Sequence, residues 1–415
     1  PWENEFHRLI AHAPNPDSGS YHKVALVLLH YWNRPGRALV EMPDAATSIS
    51  IRPPGYPLLI ATVYAIAGIR PAWVLLAQVF ISVVGGYFLM QALRNIQGAA
   101  AAAIGGWLYA LNPTLIDYTC LILTETQFVL GTTLVVYALS VWRTASRPAP
   151  LPMGFWIGVA IAFTTLTRPS PIPLIPVLAL LGAWARPLEW RQRGLFWAGY
   201  LLGILVLFVP WSVYNRVHYG SWRLTIGAEQ YLLDQVGLVV GRMERPLHEM
   251  RAVLTEQALA QMQRDGLDPV RQVFERGRYY RSVALRHLQE DPANFVRYWL
   301  RGMVLFWRSA GGANSWGTDR AWVKGWFQLY HVVYLLLLGV GLWAAFRTAA
   351  LRWWAWLFVL TALYFTMSAF CSGNPRFRLQ TFAFSMPVAV SGGLLISRRY
   401  LNSHSLQGKH LQSGV

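Results

Sequence analysis

One acid and one arginine stand out in a polar stretch near the start of the chain, Asp17 and Arg52. A carboxylate can take a proton from a hydroxyl or hold a divalent metal, and a planar guanidinium can bind two oxygens of a phosphate. A departing phosphate also needs positive charge nearby. The stretch 17–57 is therefore predicted to be an active-site loop in which a hydroxyl attacks and a phosphate leaves.

Further charged residues lie close to the ends of apolar segments. They are Asp117, Glu125, Arg168, Arg216, Arg376 and Arg378. Acids and arginines at membrane depth are costly, so they usually pair or line a cavity. We expect an acid–arginine cavity at the lipid boundary, which would suit a lipid-linked phosphate.

Structural interpretations of the acids stay open at this point. Asp17 follows Pro16 and precedes a helical pattern, so it could be a helix N-cap. Glu125 could be a first-turn acid favoured by the helix dipole. Asp117 could be a solvated loop acid.

The arginines have alternatives too. Arg52 and Arg168 could contact lipid headgroups, and Arg168 could also answer a nearby acid. Arg376 and Arg378 alternate in NPRFRLQ, so both could anchor one side of an extended segment at the interface.

The composition is that of a membrane protein. The chain has 415 residues, of which 54% are hydrophobic and 13% charged. Soluble domains carry about a quarter charged residues. The net charge of +17 does not indicate nucleic acid, because most arginines lie between apolar segments, where orientation and anionic headgroups explain them. The two cysteines have no metal-site spacing.

The apolar segments predict a polytopic helical protein, since a spanning helix needs about 20 apolar residues. The candidate spans are 71–93, 98–112, 121–142, 153–167, 170–185, 194–213, 326–346, 352–371 and 380–397. Those at 153–167 and 170–185 are short and are expected to meet at a polar turn that contains Arg168. The segments 22–32 and 58–68 are too short to span, so we expect an interfacial helix and a re-entrant or interfacial one.

The distribution of arginines predicts which loops face the cytoplasm. They recur in alternate loops, at Arg94, Arg143, Arg147, Arg186, Arg191, Arg193, Arg347, Arg352, Arg398 and Arg399. By the positive-inside rule these loops face the cytoplasm. Residues 1–70 then lie outside the membrane, and a further membrane helix is expected before Pro1.

Five regions follow from this topology. They are a first periplasmic loop with juxtamembrane or re-entrant helices (1–70), membrane helices (71–213), a periplasmic insertion (214–325), C-terminal membrane helices (326–397) and a cytoplasmic tail (398–415). The insertion is mostly helical in pattern. Its segment 293–308 mixes arginines with aromatic and apolar residues and is expected to lie in the outer interface.

A series of motifs carries a family resemblance. They are DSGSYHKVA at 17–25, RPPGYPLLIA at 52–61, LTE at 123–125, LTRPS at 166–170, VPWSVYNRVHYG at 209–220, EDPANFVRYWLRG at 290–302 and NPRFRLQTFAFSMP at 374–387. Together they cover nearly the whole chain. The chain resembles GT-C membrane glycosyltransferases, in particular the glycosyltransferase 39 and RgtA/B/C/D-like groups related to protein O-mannosyltransferases and aminoarabinose transferases.

The resemblance implies a GT-C-like bundle of membrane helices in a bacterial inner membrane, which transfers a sugar on the periplasmic side, usually with inversion. The donor would be a polyprenyl-phosphate sugar, and the acceptor a lipid, a glycan or a protein. Asp17 matches the presumed catalytic base and Glu125 the second acid. Arg52 and Arg378 match positions that face the donor phosphate.

The remaining candidates complete the predicted site. Arg168 and Arg376 are predicted to join the donor-phosphate site. Tyr21, Tyr56 and Asp117 are predicted to line the substrate pocket.

Two departures from the family pattern bear on the cofactor and on the last loop. Relatives that use a metal often carry an acid just before the basic-Pro-Pro motif, whereas this chain has Ile51, so no metal or other cofactor is predicted. Many relatives have an acid followed by Arg-Tyr-Arg in the last outer loop, whereas this chain has Asn374-Pro375 followed by Arg-Phe-Arg.

Two alternatives belong to other functional classes. A lipid-linked oligosaccharide ligase or polymerase would also have a large outer loop, but it would use undecaprenyl-pyrophosphate glycans. A lipid transporter without chemistry would need a polar pathway through the bilayer centre, whereas the charges here cluster at one face. Inverted repeats would favour a transporter, and the sequence shows none.

Overall fold

The protein is helical in the part of the chain that its computed structural model describes, and no strand occurs there. The described residues are 16–32, 41–42, 48–147, 149–242, 246–311 and 320–412, with the helix alone described over 398–412. The all-α prediction is confirmed. The predictions for residues 1–15 lie outside these ranges.

The described residues before the insertion contain nine α-helices. They are α1 (Pro16–Tyr31), α2 (Gly55–Ala67), α3 (Pro71–Gln97), α4 (Ala99–Ala110), α5 (Pro113–Thr119), α6 (Glu125–Thr144), α7 (Pro150–Thr167), α8 (Leu174–Ala183) and α9 (Trp190–Tyr219). The described residues that follow contain α10 (Gly227–Val240), α11 (Leu247–Arg264), α12 (Arg276–Glu290), α13 (Pro292–Arg308), α14 (Ala321–Arg347), α15 (Ala349–Ser368) and α16 (Leu379–Gln412). Two short 3₁₀ helices, Phe370–Ser372 and Pro375–Arg378, connect α15 to α16.

Six segments among the described residues are long and apolar enough to cross a membrane. They are α3, α7, α9, α14, α15 and residues 375–397. The helices α4 and α5 form a seventh span if they are counted together, although they bend by 56° at their junction. The multi-pass prediction is confirmed, but fewer segments qualify than the nine predicted, because α6 and the 10-residue α8 do not qualify and α4 qualifies only together with α5.

Helix α6 is polar in sequence because it lies inside the bundle. Thr132 and Thr133 are buried, as is most of the helix. The hydroxyl of Thr132 donates to the Phe128 carbonyl oxygen of its own helix at 3.2 Å, which satisfies it without water. A helix surrounded by other helices does not need an apolar, lipid-facing surface. Its mean hydropathy is therefore lower than that of a helix that faces lipid.

Glycines lie at the contact between α7 and α9 and allow the two helices to pack closely. A larger residue at these positions would clash with the backbone of the other helix. A Cβ on Gly154 would lie 2.1 Å from the Phe196 carbonyl oxygen, and one on Gly203 would lie 2.1 Å from that of Phe155. In membranes, small residues spaced four apart let helix backbones approach in this way. These contacts hold the first half of α7 against the long helix α9.

Helix α1 is more deeply buried than the sequence predicts. It begins at Pro16 rather than near residue 22, and Val24, Ala25 and Val27 are almost inaccessible. Lys23 is among its few exposed residues. The segment is therefore packed on most of its circumference, because α2 and the neighbouring bundle cover the face that an interfacial helix would leave open.

The insertion has its own small core, formed by side chains of α10, α11 and α12. Helix α9 runs to Tyr219, beyond the boundary expected at 213, and ends at the left-handed residue Gly220 (φ 71°). At its start the insertion is tied to the first loop, because the Ile226 amide donates to the Ser50 carbonyl oxygen at 2.7 Å. The insertion thus packs directly on the stretch that contains Arg52.

Candidate active site

Three distant parts of the chain converge at Asp17, in the first turn of α1. Arg52 Nη2 lies 2.5 Å from Asp17 Oδ1, and Arg376 Nη1 lies 3.2 Å from Oδ2. Arg52 follows the helical turn 48–51, and Arg376 lies in the 3₁₀ helix Pro375–Arg378. Helix α1 already includes Pro16, so Asp17 lies in its first turn. Asp17 is therefore not the N-cap, because an N-cap residue precedes the first helical residue.

A second acid shares the same arginine. The Nε of Arg376 donates to Glu125 Oε1, which also accepts from Arg168 Nη1 at 2.9 Å. Glu125 is the first residue of α6, so it has the dipole-favoured position and an ion pair together. The outcome is one chain of charges, in the order Arg52, Asp17, Arg376, Glu125 and Arg168.

Exposure differs along this chain of charges. The Glu125 side chain is 2% exposed and that of Arg376 11%, whereas Asp17 is 29% and Arg52 23% exposed. The end at Asp17 is thus the open end of the cluster, where a substrate hydroxyl can approach. Glu125 Oε2 is buried and accepts no hydrogen bond from a described residue.

Charge controls the protonation of Asp17. Burial alone would raise the pKa of its carboxyl, but the attraction of Arg52 and then Arg376 outweighs burial and holds the pKa well below its usual range. Three guanidinium groups against two carboxylates leave the cluster with one net positive charge. Such a cluster is suited to hold an anion.

Aromatic rings lie against the guanidinium groups. The Arg52 guanidinium carbon is 4.7 Å from the centre of the Tyr21 ring, and the Arg168 carbon is 4.7 Å from that of Phe377. Arg376 lies 5.5 Å from the Tyr118 ring centre. Tyr21 is a predicted site residue. Tyr118 and Phe377 are not, although each is the sequence neighbour of a predicted residue.

The insertion contacts the backbone near both Arg52 and Arg376. The Thr225 hydroxyl donates to the Ile51 carbonyl oxygen at 2.8 Å, beside Arg52. The Tyr231 hydroxyl donates to the Ala369 carbonyl oxygen at 3.1 Å, at the start of the segment that leads to Arg376. The sequence pattern of the insertion does not predict these hydrogen bonds, because the carbonyl oxygens that accept them belong to the first loop and to the segment after α15.

Two of the predicted pocket residues, Tyr56 and Asp117, are buried. Tyr56 is inaccessible and donates to the Gln78 side chain, and its ring packs edge-on against Tyr21 at 5.2 Å. Asp117 is also fully buried, in α5, so the interpretation as a solvated loop acid is wrong. The two-turn helix α5 folds its polar residues into the bundle, and a short polar stretch in the sequence does not reveal that.

Arg378 lies apart from the carboxylates. Its Nη1 donates to the main-chain oxygens of Phe306 at 2.8 Å and Ser309 at 2.7 Å, at the C-terminal end of α13. These carbonyls carry the negative end of the helix dipole and attract a cation. Its assignment to the donor phosphate stays a prediction, with Nη1 already bound to the backbone.

Metal-binding side chains do not cluster in the described part of the chain, where no group of three or more His, Cys, Asp or Glu residues could hold an ion. Asp17 and Glu125 share Arg376 between them instead. Whether the protein needs a metal stays a prediction.

A family model agrees with the resemblance over part of the chain. Residues 51–214 match the family model described as dolichyl-phosphate-mannose-protein mannosyltransferase. This range contains Arg52, Glu125 and Arg168, but neither Asp17 nor Arg376. The match confirms the resemblance to GT-C glycosyltransferases and supports glycosyl transfer from a lipid-linked donor as the general class of activity.

Two solved structures are similar to the chain at low identity. The crystal structure of ArnT from Cupriavidus metallidurans in the apo state gives 14% identity and a TM-score of 0.41, covering 91% of this chain and 72% of that one. The same protein bound to undecaprenyl phosphate gives 16% identity and a TM-score of 0.39, with 92% and 74% covered. No curated protein sequence matches the chain.

Proposed function

We propose that this protein transfers a sugar from a polyprenyl-phosphate donor to a lipid, glycan or protein acceptor at the periplasmic face of a bacterial inner membrane. The observation that carries the proposal is the shared guanidinium of Arg376, which joins Asp17 to Glu125 although the three residues are far apart in the chain. A partly exposed carboxylate beside an excess of guanidinium groups is suited to a reaction that needs both a base and an anion site.

The reaction is a direct displacement at the anomeric carbon. The acceptor hydroxyl oxygen forms the new bond to this carbon while the bond to the phosphate oxygen breaks. Asp17 takes the hydroxyl proton, and polyprenyl phosphate departs with the bonding electron pair. Arg52 and Arg376 bind the phosphate, with Arg168 behind them, and Tyr21 lines the pocket beside Arg52.

Asp17 must gain basicity during this cycle, because a carboxylate held by two guanidinium groups binds a proton weakly. A donor phosphate competes with Asp17 for Arg52 and Arg376, since guanidinium pairs with either anion bidentately. Binding of the donor therefore raises the pKa of Asp17 at the step that needs a base. The arginines thus link donor binding to acceptor activation.

The insertion covers the site and contributes to the choice of acceptor. Its contacts with Ile51 and Ala369 support this role, because they connect it to the turns that contain Arg52 and Arg376. No metal takes part in the proposed reaction. Chelation with EDTA is therefore expected to leave turnover unchanged, which a metal-dependent enzyme would not tolerate.

The proposal is tested with purified protein in nanodiscs and a panel of radiolabelled polyprenyl-phosphate sugars. Release of polyprenyl phosphate with transfer of label to an acceptor extract is expected for one donor, and loss of both in Asp17→Asn. Glu229→Gln serves as the control, because it removes an arginine-paired acid of the insertion that lies outside the cluster.

Two results would contradict the proposal. Turnover of pyrophosphate-linked glycans alone, with products of graded chain length, would indicate a ligase or polymerase. Protein-dependent lipid movement without turnover of any donor would indicate a transporter.

A further inference from the structure

Helix α13 presents an exposed face that is apolar along one side and basic along the other. The apolar side consists of Val296, Leu300 and Val304, which are 47%, 54% and 60% exposed. The basic side consists of Arg297, Arg301 and Arg308, all exposed. At about 100° per residue the six positions form one continuous surface, which we call the α13 face.

The α13 face lies at the end of a membrane-spanning helix. The Trp299 indole donates to the Met367 carbonyl oxygen at 2.9 Å, and that of Trp307 donates to the Thr366 hydroxyl at 2.9 Å. Both acceptors belong to the last turns of the span α15. The end of a span is the level at which phospholipid headgroups lie.

We propose that the α13 face docks on anionic phospholipid headgroups, with its apolar side in the acyl boundary and its arginines on the phosphates. Charge complementarity selects this partner, because the described residues place no carboxylate within ion-pair distance of Arg297, Arg301 or Arg308. Helices with apolar and basic sides of this kind bind interfaces in proportion to buried apolar area and anionic charge.

Docking of α13 also positions the segment 369–378. A Cβ on Gly302 would lie 1.9 Å from the Phe370 carbonyl oxygen, so the helix and the segment are in backbone contact. Phe370 has φ of 48°, which is costly for a bulky residue, and its ring packs against Phe295 and Trp299 of α13. Arg378 binds the other end of α13. A lipid that holds α13 therefore also holds the turn that contains Arg376.

The experiment uses the full chain in vesicles, with a nitroxide on Leu300→Cys in a Cys120→Ser background. Cys371 is buried and is left in place. With phosphatidylglycerol present, the label is expected to become accessible to oxygen and shielded from a water-soluble nickel chelate. In pure phosphatidylcholine this shift is expected to be largely lost. Amide hydrogen exchange over 369–378 is expected to slow with the shift.

The variant Arg297→Gln/Arg301→Gln/Arg308→Gln is expected to lose both responses. The matched control Arg264→Gln/Arg278→Gln/Arg281→Gln removes three exposed arginines from α11 and α12 and is expected to keep both. Should the α13 variant fold poorly, Arg301→Gln alone is expected to give a partial loss.

Three outcomes would overturn the proposal. A label that is water-accessible in both lipids contradicts docking, and a label equally buried in both contradicts an anionic partner. Equal losses in the two triple variants would indicate net charge rather than this face. Neither measurement depends on sugar transfer, so the docking and the proposed function fail or succeed separately.

Discussion

Arg376 and Arg378 lie two residues apart in one 3₁₀ helix, yet they belong to two different regions. Arg376 is bound by the carboxylates of Asp17 and Glu125, whereas Arg378 is bound by main-chain oxygens of α13. A carboxylate partner can be replaced by a phosphate, because both anions offer the same pair of oxygens. The main-chain oxygens that bind Arg378 cannot be displaced in this way unless α13 itself moves. The difference separates charges available to a substrate from charges that hold the fold.

The largest effect is expected at Asp17. Asp17→Asn removes the base but keeps its size, so transfer should fall by about 10²- to 10⁴-fold while donor binding persists. Single-turnover assays and donor-binding titrations measure the two quantities. Equal activity in Asp17→Asn and the wild type would remove Asp17 as the base.

The two arginines of the comparison should respond differently to the same change. Arg376→Gln leaves the partly exposed Asp17 and the buried Glu125 with one partner fewer each and takes charge from the phosphate site, so we expect transfer to fall by about 100-fold or more. Arg378→Gln should mainly lower stability, by about 1–3 kcal/mol, through lost hydrogen bonds to α13. Transfer rates and thermal melting in detergent give the two readouts. The opposite pattern would place the donor phosphate at Arg378.

The dependence of activity on pH tests the low pKa of Asp17. Because that pKa is lowered, Asp17 stays ionised and its ion pairs contribute to stability above the ordinary carboxyl range; that contribution is lost as the pH falls through the lowered value. The kcat/KM of the wild type should therefore stay flat down to about pH 4.

Arg52→Gln removes the stronger of the two partners and should move the acid limb of kcat/KM to higher pH. A pH profile of the variant against the wild type measures the displacement. An unchanged limb would mean that another group limits activity on the acid side.

The smallest effect is expected at the contact between the two regions. Gly302→Ala forces α13 away from the Phe370 carbonyl oxygen and should lower stability by about 1–3 kcal/mol. Gly339→Ala, in α14, has nothing within 4 Å of its Cβ and serves as the control. Melting temperatures in detergent compare them. Equal melting of both variants would show that the approach of α13 to the segment relaxes freely.

Part of the site could be predicted from local patterns. Asp17 and Arg52 stand out as charges in a loop that cannot cross the membrane, and they do form a pair. The sequence also allowed Arg168 to answer a nearby acid, which is Glu125. In the second case the reason is that α6 and α7 follow each other as neighbouring helices, which brings the start of α6 near the end of α7.

Other parts could not be predicted, because they depend on packing between distant segments. The burial of Asp117 depends on how α5 folds against the bundle. Arg376 and Arg378 look equivalent in NPRFRLQ, since both alternate in a polar turn. Their roles differ only because α13 packs on one side of this turn and binds Arg378, whereas α1 and α6 pack on the other side and bind Arg376.

The sequence by itself determined the helical membrane class, the order of the apolar segments and the residue types able to hold an anion and accept a proton. These are properties of composition and spacing. Only the tertiary structure decided which guanidinium meets which carboxylate. The physical reason is that Arg376 contacts acids 359 and 251 residues away, and such contacts depend on how the helices pack rather than on any local pattern.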